Sequence, residues 1–182
     1  MGTAFCPLPC FIRLENVKVK PILKNLEQLQ QLDDIDRQLL CLLQENSRTT
    51  IVELARHVNL STPGLQKRLR KLEEKGVIDR YVTLVNREAL GLDLLCFAQV
   101  TLANHQPECV GIFCDRVKEL PEVLECHHLS GEFDYLLKMV VPNHQHLAKL
   151  LSDKITRIPG IDRIQTNIVL NEIKASTSLP LD

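Results

Sequence analysis

Apolar and polar positions change rhythm three times along the chain. Residues 1–31 carry only fragments of a pattern. Phe11-Ile12-Arg13-Leu14 and Val17-Lys18-Val19-Lys20 alternate briefly, Pro21 interrupts, and Leu23, Leu26 and Leu29 mark a short helix running to Leu32. This segment reads as a mobile or partner-packed extension. From Asp33 the spacing becomes helical. Asp33 and Asp34 cap a first helix whose Ile35, Leu39, Leu42 and Leu43 share one face, and Asn46 breaks it. Thr50 with Glu53 forms a capping box for a second, short helix over 51–58, with Leu54, Ala55 and Val58 inward. Asn59-Leu60 turns the chain, Ser61 caps a third helix with Pro63 in its first turn, and Gly76 stops it in a left-handed conformation after Lys75.

Three short helices, the last two joined by a tight turn, describe a helix-turn-helix. At ~100° per residue, Leu65, Leu69 and Leu72 of the third helix fall in a narrow arc. Gln66, Lys67, Arg70 and Lys71 lie outside it, with Lys67 and Arg70 nearly opposite. Arg68 sits about 60–70° from the apolar centre, so it borders the core and is expected to buttress the fold. An amphipathic helix with a solvated charged face would look the same, so this geometry alone leaves DNA binding open.

Past Gly76, residues 77–85 (Val77 to Val85) form a β-prone run that reads as a hinge strand before the turn at Asn86 to Gly91. The second half then alternates strand and helix. Strands are expected from Leu94 to Leu102, Val123 to Leu129, Phe133 to Val141 and Ile161 to Leu170. A helix runs from Pro107 to Leu120, with Val110, Phe113, Cys114 and Val117 inward. A second opens at Pro142-Asn143 and carries Leu147, Leu150, Leu151 and Ile155. The order βαββαβ is that of a ferredoxin-like split unit, an α+β sandwich with helices on one face of a four-stranded sheet. The other face needs a cover, most simply an identical subunit, so a homodimer is expected.

Composition narrows the picture without deciding it. The chain has 182 residues, 45% of them hydrophobic, and a net charge of −1, which excludes a disordered chain. No apolar run approaches the ~20 residues of a membrane helix, so no membrane is expected as a partner. Seven cysteines at irregular spacing, without a secretory signal, suit reduced thiols in a cytoplasm. Nine Lys and Arg oppose eight Asp and Glu over residues 32–82, and eight oppose twelve over 91–182. The near-neutral total argues against a broadly basic nucleic-acid binder, but not against one that concentrates its cations on a single helix. Cys126, His127 and His128, with His105 and the pair His144 and His146, invite a metal, yet strand alternation sends His127 to the face opposite Cys126 and His128, and no second Cys-x-x-Cys or matched His pair exists. No metal and no resident cofactor are expected. No nucleophile elbow, phosphate loop or paired-acid constellation appears, so no catalytic residues are assigned and the chain is not read as an enzyme.

Several runs together resemble the leucine-responsive regulator/AsnC (Lrp/AsnC) family. Leu32-Asp33-Asp34-Ile35-Asp36-Arg37, then Leu60-Ser61, then Lys67-Arg68-Leu69-Arg70-Lys71-Leu72 up to Ile78 are similar to its DNA-binding half. Val123 to Lys138, containing Ser130-Gly131-Glu132-Phe133-Asp134, and Ile158-Pro159-Gly160-Ile161 are similar to its ligand-sensing half. The match runs in order over about residues 32–174. It implies an N-terminal winged-helix-like helix-turn-helix domain over 32–80 and a hinge strand and linker over 81–91. A ferredoxin-like (RAM-type) effector-binding and oligomerisation domain over 92–174 and a tail over 175–182 follow, with 1–31 left as an extension.

The same resemblance implies a cytoplasmic, nucleoid-associated transcription regulator that binds double-stranded DNA as a homodimer assembling into tetramers or octamers. A small effector, an amino acid, would shift the balance between assemblies. For DNA it points to Ser61 and Thr62 on backbone phosphate, Gln66 and Lys67 on base edges, and Arg70 and Lys71 on phosphates or bases. The family pattern after Leu-Ser is Pro then Ser or Thr, whereas Thr62, Pro63 and Gly64 stand here. For the effector it points to the turn Ser130, Gly131, Glu132, Phe133 and Asp134. Gly131 would take a positive φ and Asp134 would pair with a ligand ammonium. Thr166, Asn167 and Ile168 would supply further walls. Two other readings share the plan. One is a siroheme-type tetrapyrrole decarboxylase, for which His127 and His128 give a foothold and the intact basic helix argues against. The other is an amino-acid sensor that does not touch DNA.

Overall fold

The computed structural model describes residues 32–181, so the readings made for residues 1–31, including the short helix ending near Leu32, lie outside it. Two compact units emerge. Of the described residues, one holds 32–81 together with 177–181, and the other spans Val82–Ser176.

The first unit contains helices α1 (Asp34–Glu45), α2 (Ile51–His57) and α3 (Thr62–Glu74). Their starts follow the sequence closely. Asp33 accepts the Asp36 amide, Thr50 and Glu53 form the reciprocal capping box, and Ser61 accepts the Gly64 amide. The α2–α3 turn closes through Leu60 N donating to Ala55 O at 2.9 Å, with Asn59 at φ 52°. Asn tolerates that left-handed geometry better than any branched side chain. Gly76, at φ 68°, ends α3 as expected. Leu39, Leu54, Ala55, Val58, Leu65 and Leu72 form the core between the three helices.

The second unit is the expected βαββαβ order: β1 (Leu94–Leu102), α4 (Pro107–Lys118), β2 (Val123–His128), β3 (Tyr135–Val141), α5 (His144–Lys149) and β4 (Ile161–Ile168). After Lys149 the helix widens into a π segment over Leu150–Ile155. The sheet is antiparallel in the order β2-β3-β1-β4, so β2 and β4 are opposite edges. Cys96, Ala98 and Val100 of β1 and Tyr135, Leu137 and Met139 of β3 point to the helices and pack on Phe113, Val117, Leu147 and Ile155. Phe97, Gln99, Leu136 and Lys138 point to the other face.

Three expectations need correction. Residues 77–85 form no strand. Tyr81, Val82, Leu84 and Val85 are at least half exposed and find no strand to pair with among the described residues, and a lone extended run has no ladder to hold it. The segment Phe133-Asp134 belongs to the loop before β3 and not to the strand. Gly131 does not adopt a positive φ. The connection from β2 to β3 is long enough to turn without it, closed by Leu129 N donating to Asp134 O at 2.8 Å.

Candidate nucleic-acid interface and effector site

The exposed side of α3 carries Gln66, Lys67, Arg70 and Lys71, beginning at the exposed cap Ser61 and the half-buried Thr62. Leu65 and Leu72 on the opposite side are buried. Among the described residues, Lys67, Arg70 and Lys71 have no ion-pair partner, whereas Arg68 on the same helix has two. Its guanidinium reaches Asp33 Oδ2 and Asp36 Oδ1, each at 2.7 Å. Asp36 is 8% exposed, so Arg68 neutralises a carboxylate that the fold has largely taken out of water. The Asp36 amide and the Arg68 guanidinium together hold the Asp33 carboxyl below its ordinary pKa. The cations of α3 thus divide by role. Arg68 fastens α3 to α1, and Lys67, Arg70 and Lys71 are left facing solvent. Phosphate offers these three, with the hydroxyls and amides at the α3 start, a matching surface.

The second candidate lies at the end of the sheet. Asp134 N donates to Val100 O at 3.0 Å, and its carboxylate accepts the Leu102 amide at 2.7 Å and meets His105 Nε2 at 2.7 Å. Both oxygens are therefore engaged by the protein itself. Asp134 thereby fastens the 129–134 loop to the end of β1. Glu132 meets Arg163 at 3.2 Å, and the same guanidinium lies 5.1 Å over the Phe133 ring. The sequence offers His105 only as a metal candidate and does not single out Arg163, because nothing local links either to the loop.

The expected walls from β4 do not converge on one side of this loop within one chain. Thr166 pairs with Ala98 and Ile168 with Cys96, two and four residues along β1 from Val100, which accepts the Asp134 amide, roughly 7–14 Å. Alternation also divides them: Thr166 and Ile168 share the helix-side face with Ala98 and Cys96, and Asn167 shares the open face with Phe97. Within β2, Glu125 links Lys138 and His127 on the open face, while His128 stacks on Tyr135 at 4.9 Å on the other. The two histidines do not converge. Among the described residues no three His, Cys, Asp or Glu side chains can hold a metal, and no described helix is long and apolar enough to cross a membrane.

Residues 32–79 match the winged helix-turn-helix DNA-binding family, and residues 95–179 match the Lrp/AsnC ligand binding domain. The leucine-responsive regulatory protein of Klebsiella pneumoniae is 40% identical over 150 residues, covering 82% of this chain and 92% of that protein. A transcriptional regulator of Neisseria meningitidis, solved with L-methionine, superposes with a TM-score of 0.80 at 36% identity, covering 83% of this chain and 97% of the other. The feast or famine regulatory protein of M. tuberculosis, also complexed with L-methionine, gives 0.74 at 33% identity, covering 81% and 98%. Both halves are matched in chain order and nearly the whole length of the relative is covered, so the chain belongs to the Lrp/AsnC family of transcriptional regulators, a helix-turn-helix DNA-binding unit joined to a ligand-binding unit.

Proposed function

We propose that this regulator reads duplex DNA through α3 and answers a free amino acid at the 129–134 loop. The observation that carries the DNA reading is the division of the α3 cations, with Lys67, Arg70 and Lys71 exposed and unneutralised beside a fastened Arg68. Ser61 and Thr62 take the backbone phosphates, Gln66 and Lys67 the base edges, and Arg70 and Lys71 the flanking phosphates or bases. The chain acts in the cytoplasm, on the nucleoid, without a resident cofactor and without catalysis.

For the effector, two relatives hold L-methionine, which favours a zwitterion with an apolar side chain as the class. The backbone of Ser130, Gly131 and Glu132, beside Phe133, faces the ligand, and Asp134 holds that backbone in place. Thr166, Asn167 and Ile168 lie beyond Arg163 on β4 and divide between the two faces of the sheet, so one chain does not turn all three to one ligand and a second subunit completes the wall. The site is then complete only in an assembly, a dimer or a tetramer or octamer built from dimers. An effector that binds one assembly better than another shifts the population by that difference in affinity alone.

A salt titration of operator binding tests the DNA half. Lys67→Ala and Arg70→Ala are each expected to weaken binding, and to reduce the slope of log affinity against log salt by about one for each phosphate left without its cation. A mutant with wild-type affinity and slope at both positions removes α3 from the groove.

A further inference from the structure

The last residues of the chain do not end where the sheet ends. After β4, Leu170 and Ile173 stand almost wholly in solvent, at 96% and 87% exposure. From Thr177 onward the chain clusters with the helix-turn-helix unit. There the Gln44 carboxamide, in the last turn of α1, engages both backbone groups of one residue: Leu179 N donates to Gln44 Oε1 at 2.6 Å, and Gln44 Nε2 donates to Leu179 O at 3.2 Å. A carboxamide presents a donor and an acceptor side by side, as a neighbouring strand would. Leu181 then packs against the apolar core formed by Leu39, Leu40 and their partners from α2 and α3. Pro180 between them suits the arrangement. It biases Leu179 toward extended backbone and has no amide of its own to satisfy.

We propose that residues 177–181 are an intramolecular clasp, a docking segment for the C-terminal end of α1 that completes the DNA-binding unit. The order of the segment is a recognisable one: an extended dipeptide seated by a glutamine, then an apolar anchor two residues on. Leu181 joins a core, while Leu170, Ile173 and Leu179 remain exposed. The consequence is topological. The chain passes from one unit to the other at Tyr81 and returns at Thr177, so with the clasp closed the DNA-binding unit is held by chain at both of its boundaries. Release of the clasp leaves it held at one boundary and uncovers apolar surface at the end of α1.

Amide hydrogen exchange on the full chain tests this. Leu181→Asp and a truncation after Ser176 are each expected to lower protection of the amides around Leu39 to Asn46 by about tenfold, while the β1 and β3 amides of the same molecules, serving as the internal reference, keep theirs. Gln44→Ala, which deletes both backbone bonds and leaves the anchor, lowers it by a smaller factor. Ile173→Asp changes nothing. A synthetic peptide of residues 176–182 added to the truncated protein restores the protection. Unchanged protection in both Leu181→Asp and the truncation overturns the clasp, as does an equal loss in both units. Unchanged protection in Gln44→Ala overturns the strand-like seating.

Discussion

At position 68 a cation that sequence composition would count toward DNA binding is committed to the fold. Its angle from the apolar centre of α3 announces a border role, and the structure supplies the reason in Asp33 and Asp36. Replacing Arg68 with Ala leaves the Asp36 carboxylate buried without its partner, at a cost of about 2–3 kcal/mol. The substitution is therefore expected to lower the melting temperature of the helix-turn-helix unit and to weaken DNA binding only through that loss. Equilibrium urea unfolding followed by far-UV circular dichroism separates the two, because Lys67→Ala should show no such shift. The same cluster sets an acid limit. Asp33 is held below its unfolded value, so its stabilisation is fully present above about pH 4 and disappears as pH falls through the lowered native pKa. Below pH 4 the wild-type unit should lose stability more steeply than Arg68→Gln. Superimposable acid profiles of the two proteins would count against the pairing. The burial of Asp36 is not legible in the sequence, because its i, i+3 relation to Asp33 looks like an ordinary acidic first turn.

At the scale of elements, local rules carry most of the fold and fail where a partner from far away decides. Caps at Asp33, Thr50 and Ser61, the stop at Gly76 and the order of strands are legible because each rests on neighbours within four residues or on strict alternation. The β-prone run 77–85 misleads, since its composition suits a strand but a strand needs an edge to pair with. The separation of Asn167 from Thr166 and Ile168 follows from the same alternation that divides His127 from Cys126 and His128. What no local rule contains is the tie from Asp134 across to Leu102 and His105. That tie changes what Asp134 is expected to do. Asp134→Ala should weaken effector binding by about tenfold or more and raise exchange at residues 129–134, with DNA binding in the absence of effector unchanged. His105→Ala should do the same to a smaller degree. If Asp134 instead met the ligand directly, isothermal titration of His105→Ala would return the wild-type affinity.

For the whole molecule the open face of the sheet is decisive. The helix side is filled by Phe113, Val117, Leu147 and Ile155, whereas the other side presents Phe97 and Leu136 on the two central strands, framed by Lys138, Glu125, Gln99 and Asn167. An apolar centre with a polar rim is the anatomy of an interface, and a twofold axis through it would let one patch cover itself. In such a dimer every substitution acts twice. Phe97→Glu places two carboxylates at the centre of the interface and is expected to cost about 4 kcal/mol, which is roughly a thousandfold in dimer dissociation constant. Phe97 is half-buried in the single chain and lies outside the core that packs the sheet on its helices, so the substitution should leave the fold and its circular dichroism intact. The proposed effector site draws its walls from two subunits, and α3 brings Lys67, Arg70 and Lys71 to each head. A monomeric Phe97→Glu protein is therefore expected to lose the amino-acid response altogether and most of its operator affinity, since two heads no longer act on one duplex. Mass measured in solution, with and without L-methionine, decides the case: a wild-type protein that sediments as a monomer, or a Phe97→Glu variant that remains as assembled as wild type, would place the interface elsewhere.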